Sequence, residues 1–211
     1  SARNRAHALA GDPLVKAVVV LGYAATDAET LRAFADLPVL VAGHWGAQPE
    51  TETVFMLANP ALDETLTAPP RVDIVEAAEL EAPLMGGEVF ALEQFMHLRS
   101  DVRDIQIASS GSLPDAAFRD QYLTTGQFVP EPTLLATLTY QAFTTLLGGL
   151  QIYRMDGSPP ETASRAAIAF ILNISTFENG YWSNATINLY QYDAMCVQRG
   201  GEMCLVPVDR P

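Results

Sequence analysis

Glu88 follows the run Ala82-Pro83-Leu84-Met85-Gly86-Gly87 and precedes Val89-Phe90, so a short apolar strand ends in two glycines and then a carboxylate. At the mouth of a cleft such a carboxylate holds a cationic group, and the glycines let a ligand approach the backbone beside it. Two other loops have the composition of an opposing wall: Gly22-Tyr23-Ala24-Ala25-Thr26 and Gly43-His44-Trp45-Gly46 each follow an apolar run. Tyr23, His44 and Trp45 supply rings, and the small residues expose backbone N–H groups. Together these residues suit a zwitterion: Glu88 meets an ammonium, while Thr26 and backbone N–H groups meet a carboxylate, offsetting the desolvation of both charges. The competing reading makes Glu88 a solvated glutamate at a helix start, favoured by the dipole, and makes His44 and Trp45 packed structural residues.

Catalytic patterns are absent. His7, His44 and His97 are far apart in sequence and have no metal-ligand spacing. Ser109-Ser110-Gly111-Ser112 follows a strand but is not a G-x-S-x-G elbow, and the glycine loops are not dinucleotide or phosphate fingerprints. No catalytic residue, metal or cofactor is expected. A formal net charge of -13 argues against nucleic acid or an anionic membrane as partner, since both select a basic footprint. Cys196 and Cys204 flank Val197-Gln198-Arg199-Gly200-Gly201-Glu202-Met203, which reads as two short strands around a Gly-Gly turn. That geometry suits a cross-hairpin disulfide, which places the protein outside the cytoplasm; two free thiols are the alternative.

The elements that must position these residues follow from periodicity. Lys16–Leu21 and Pro38–Ala42 are short β-branched runs that read as strands buried on both faces. Thr26 or Asp27 caps a helix between them with Leu31 and Phe34 inward, so the unit is β-α-β with parallel strands. In such sheets ligands bind beyond the carboxyl ends of strands, where the Tyr23 and His44 loops lie. Val54–Ala58 reads as a third strand and Ala61–Pro70 as a linker or lobe boundary. Val72–Ala77 opens a second strand series, followed by Pro83-Leu84-Met85, a helix over Val89–Leu98 with Phe90, Phe95 and Leu98 inward, and a strand at Ile105–Ala108.

Asp115 or Ser112 caps a helix carrying Phe118 and Tyr122. A long helix over Thr133–Leu150 places Leu134, Leu138, Phe143, Leu146, Leu147 and Leu150 so that much of its circumference is buried. Glu161–Leu172 reads as an amphipathic helix, Phe177-Glu178-Asn179-Gly180 as a turn, and Thr186–Tyr192 as an alternating strand. With 49% hydrophobic and 18% charged residues over 211 positions, the chain has the composition of a folded protein of one large domain or two small lobes. No window reaches the roughly 18 apolar residues of a spanning helix. Ser1-Ala2-Arg3-Asn4-Arg5 lacks a hydrophobic signal core, so any export signal or lipid anchor is expected to have been removed or never to have existed.

The order of these elements resembles the type I periplasmic solute-binding proteins, in particular the branched-chain amino-acid-binding family that serves ABC transporters. Asp12-Pro13-Leu14-Val15 running into Lys16–Val19 is similar to the opening of the ligand-site half of lobe one. Phe118-Arg119-Asp120-Gln121-Tyr122, Pro130-Glu131-Pro132, Leu138–Phe143 and Thr176-Phe177-Glu178-Asn179-Gly180 resemble four later motifs in order. The resemblance implies an α/β fold of two lobes, each a parallel sheet with flanking helices, that captures an amino acid or similar small ligand for a transporter permease. It implies that Thr26 donates its hydroxyl to the ligand carboxylate, that Gly43, His44 and Trp45 add contacts, and that Glu88 pairs with the ligand ammonium. Glu76 or Ala77 stands where the family has an aromatic residue at the end of a lobe-two strand.

The resemblance divides the chain into a partial lobe one (1–60), a linker or deletion point (61–70), a partial lobe two (71–150) and a return to lobe one with the cysteine hairpin (151–211). Both lobes lack blocks that full members carry. Either the chain is a trimmed or naturally reduced member, or the sheet edges left behind are covered by a partner chain, for which a homodimer is the simplest form. Two other classes stay open: a ligand-sensing or interaction module on the same scaffold, and a hydrolase using Ser110.

Overall fold

Val18–Val20 (β1), Val39–Val41 (β2) and Val54–Met56 (β3) pair in parallel, with Val18 opposite Val39 and Val39 opposite Val54. The computed structural model describes residues 1–99, 101–154, 163–193 and 205–208. β2 and β3 are fully buried, as their uninterrupted apolar runs require. β1 is only half-buried, contrary to the expectation of burial on both faces, because it forms the edge of the sheet. Between β1 and β2, Ala28–Ala33 (α2) is capped by Asp27, whose carboxylate accepts the Thr30 N–H at 2.9 Å. Leu31 and Phe34 point inward from it.

A helix at Ala2–Gly11 (α1) precedes this unit and packs on α2, with Ala6 as its buried residue. Its sequence is polar and weakly periodic, and the Ser1 side chain caps it by accepting the Asn4 N–H. The sheet is completed by Phe177–Glu178 (β6) and Tyr181–Trp182 (β7), a tight hairpin around Asn179-Gly180 whose Tyr181 pairs with Met56. Its order is β1-β2-β3-β7-β6.

The second sheet joins Leu84–Gly86 (β4) in parallel to Ile105–Ser109 (β5). Two antiparallel strands extend it, Asn188–Tyr192 (β8) and Leu205–Pro207 (β9). The return segment therefore splits: the 177–182 hairpin joins the first sheet, whereas β8 and β9 join the second rather than lobe one. The cysteine hairpin lies outside the described residues.

Two stretches of the middle region differ from their sequence reading. Ala61–Pro70 is not a bare linker: Leu62–Thr65 (α3) is a helical turn with Leu62 fully buried. Residues 74–79 are helical, not strand (Ile74–Glu79, α4). Asp73 accepts the Val75 N–H at 2.9 Å and Glu76 falls in the first turn, a helix start whose capping signal outweighs the β-branched run.

A 3₁₀ turn at Glu88–Ala91 leads into Glu93–Leu98 (α5). Phe90 and Phe95 stack in the core at 4.7 Å, but Leu98, expected inward, is half exposed at the end of the short helix. Ala116–Leu123 (α6) is capped by Asp115, which accepts the Phe118 N–H at 2.7 Å. Leu134–Arg154 (α7) buries the stripe Leu134, Leu138, Ala142 and Leu146. Spacing by four confines burial to that stripe, so Phe143 and Leu147 are exposed, against the expectation of burial around much of the helix. Arg165–Ser175 (α8) is capped by Ser164 and packs on α7.

Candidate functional site

The carboxyl ends of the two sheets face each other, and the buried polar side chains gather between them. Thr26, Thr30, His44, Glu88, Ser109 and Ser110 are the buried polar residues among those described, and four of them belong to this junction. The fold puts them there directly. β2 delivers His44 after Ala42-Gly43, β4 delivers Glu88 after Gly86-Gly87, and β5 ends at Ser109, with Ser110 next in the chain.

Glu88 is fully buried. Its Oε2 accepts the His44 backbone N–H at 2.9 Å and its Oε1 accepts the Ser109 hydroxyl at 2.7 Å. Removal from water raises its pKa to about 7, and the hydrogen bonds from Ser109, its own backbone and His44 only partly counter that rise. The neighbouring structure fixes the position. Phe90 packs so closely on Gly86 that a Cβ there would lie 2.4 Å from its ring, and the Tyr192 hydroxyl donates to the Phe90 carbonyl. On the opposite side Gly43 has φ +95°, and a Cβ built on it would lie 3.0 Å from the Glu88 carboxyl carbon. Glycine is required at 43 both by conformation and by the carboxyl group packed on it.

His44 is buried and its Nε2 lies 2.9 Å from Asp63 Oδ1 on α3. Burial lowers its pKa while Asp63 opposes the shift, so the neutral ring donates from Nε2. Its Nδ1 is the buried side-chain polar atom that lacks a partner among the described residues. A second bond between the sheets runs from the Asn59 N–H to Ser110 Oγ at 2.7 Å, and Asn59 Nδ2 in turn donates to the Ala185 carbonyl at 2.7 Å. The Gly111 N–H donates to Ser109 Oγ at 3.0 Å. No imidazole hydrogen-bonds to Ser109 or Ser110, and no three metal-ligating side chains converge, among the described residues.

The structure thus brings Gly43, His44 and Glu88 together and adds Ser109, Ser110, Asn59 and Asp63, which sequence reasoning did not assign to the site. Ser110 enters the sequence analysis only as a hydrolase candidate, and the place of both serines at and just after the end of a strand is the signal that marks them for this site. Thr26 is buried, but its hydroxyl donates to the Gly22 and Tyr23 carbonyls at 3.1 and 3.3 Å, so its single proton is already engaged. Trp45 is a core residue whose indole N–H donates to the Ala42 carbonyl at 2.8 Å. Tyr23 and Glu76 meet at an exposed rim instead. The Tyr23 hydroxyl donates to Asp73 Oδ2 at 2.9 Å, which raises the tyrosine pKa, and Glu76 adds to the rise from α4. Glu76 therefore does not stand at a strand end.

No family model and no curated protein matches this chain. Solved structures do match. A leucine-binding protein from Thermotoga maritima MSB8 superposes with a TM-score of 0.64 at 11% identity, over 99% of this chain and 83% of that one. An ABC transporter substrate-binding protein from Desulfitobacterium hafniense in complex with Leu gives 0.57 at 14% identity, over 98% and 84% of the two chains. A second structure under that name from the same organism gives 0.53 at 12% identity, with the same coverage. The fold is the α/β fold of type I periplasmic binding proteins, with parallel strands flanked by helices.

Proposed function

We propose that this chain is an extracytoplasmic solute-binding protein that captures an amino acid, or a similar small zwitterion, between the facing carboxyl ends of its two sheets for an ABC transporter permease. The observation that carries this reading is the fully buried Glu88 carboxylate, held by the His44 backbone N–H and the Ser109 hydroxyl. A desolvated carboxylate at such a strand junction is a functional-site candidate on physical grounds. Two of the matched structures are described as leucine-binding or leucine-bound, which supports the same ligand class.

In this reading the ammonium sits against Glu88, whose two oxygens have lone pairs beyond those used by Ser109 and His44. Backbone N–H groups at the strand ends take the carboxylate. Entry of the ligand separates the sheets at two hydrogen bonds, His44 to Glu88 and Asn59 to Ser110. These contribute on the order of 1 to 3 kcal/mol each. Ligand contacts must offset these losses before a net binding free energy of about 8 kcal/mol, a micromolar Kd, is reached. A second copy covering the half-buried β1 edge belongs to the same proposal.

A thermal-shift screen against the amino acids tests it. A ligand at a hundredfold over its Kd stabilises the fold by about 2.7 kcal/mol. One reproducible shift supports capture. A flat profile favours the second reading, a ligand-free sensing or interaction module, which the mutual satisfaction of Glu88, His44 and Ser109 also fits.

A further inference from the structure

A groove of about 620 Å³ opens between α6, the Pro130 loop, the first half of α7 and the start of α5. It shares no residue with the Glu88 junction. Its walls are aromatic. Phe118 and Tyr122 stack at 5.9 Å, and Tyr140 meets Phe118 edge-on at 5.3 Å, with Phe143 one turn further along α7. Tyr140 and Phe143 are 55% and 51% exposed, so these rings face the groove and solvent rather than a core. The volume lies within the range of sites that hold small organic molecules.

Charge selects among such molecules. Glu93 and Glu131 line the groove, and none of its lining residues is Lys, Arg or His. Arg119 engages Glu131 through Nε and Nη2 at 2.6 and 2.8 Å, which leaves Glu93 as the carboxylate open to a ligand; its nearest partner is His97, 3.8 Å away on the same helix. An anion would meet no counter-charge in the lining, and a neutral apolar guest would desolvate Glu93 without compensation. A cation gains twice, from the faces of the rings and from the carboxylate. The net charge of -13 adds a long-range attraction of the same sign.

We propose that this groove is a second ligand site, independent of the sheet junction, that binds a small organic cation such as a quaternary or aromatic ammonium compound. The aromatic cluster holds the alkylated or aromatic head, and Glu93 supplies the counter-charge.

The test is a calorimetric titration of the full chain with benzyltrimethylammonium, together with choline and its uncharged isostere 3,3-dimethyl-1-butanol. The expected result is one-site binding of benzyltrimethylammonium, with choline bound about fivefold or more tightly than the alcohol. Tyr140→Ala and Phe143→Ala each weaken binding about fivefold or more without lowering the melting temperature, because both side chains are half exposed. Glu93→Gln weakens it about threefold. Glu88→Gln leaves it unchanged, which separates this site from amino-acid capture. Absence of saturable binding, equal affinity for choline and the alcohol, or unchanged affinity in Tyr140→Ala would overturn the proposal. So would a dimer in sedimentation equilibrium that Tyr140→Ala dissociates and the probe cannot enter, which would assign the groove to a second copy.

Discussion

Glu88 carries an ionisable group at the point where the two sheets touch, and its raised pKa fixes how stability responds to pH. The folded value, about 7, lies above the ordinary 4.5, so between these pH values the folded chain binds a proton that the unfolded chain has released. Stability from this group is complete below about pH 4.5 and declines as pH rises to about 7. Melting temperature across that window should fall in the wild type and flatten in Glu88→Gln, whose amide still bridges His44 and Ser109. Gly43→Ala should cost about 1 to 3 kcal/mol in urea unfolding, since it combines a left-handed backbone with a Cβ pressed on the Glu88 carboxyl group. The sequence marked Gly43, His44 and Glu88 because strand ends followed by glycine are local signals. Ser109 was not marked as the partner of Glu88, and the Thr26 proton was assigned to a ligand, because both depend on which atoms meet across 21 residues or within one loop. Periodicity carries no information at that level.

The elements most legible in the sequence were those with strong local patterning: β2, β3, β5, β8, α2, α6 and α7 all fall where their runs and caps predict. The errors have a common cause. At 72–77 a β-branched run competed with an Asp-x-x-Glu start, and the cap won once Asp73 also received the Tyr23 hydroxyl from a distant loop. The start of α8 shows how a single side chain ties elements together. Arg165 donates to the carbonyls of Ala10, Asp12 and Val15 and to Asp36, so it fastens the segment between α1 and β1 to α8. Arg165→Ala should therefore destabilise by about 2 to 4 kcal/mol in chemical unfolding, whereas loss of an exposed pair such as Arg103 with Asp101 should cost under about 1 kcal/mol.

At the scale of the molecule, the sheet topology explains why the junction exists. The chain builds β1 to β3, crosses to β4 and β5, returns to the first sheet through β6 and β7, and crosses again to β8. Repeated crossing holds the carboxyl ends of both sheets in apposition, the place where ligands meet open parallel sheets. The sequence conveyed the two-sheet α/β plan but not the crossing of β8 and β9 to the second sheet, because the antiparallel pairing of β8 with β5 is non-local. The most direct test of amino-acid capture at the junction is a calorimetric titration at pH 8, where Glu88 is ionised, of the amino acid giving the largest thermal shift. The account predicts one-to-one binding by the wild type and a loss of about tenfold or more in Glu88→Gln, a difference of about 1.4 kcal/mol. Equal affinity in the variant, or no binding of any amino acid by the wild type, would contradict it.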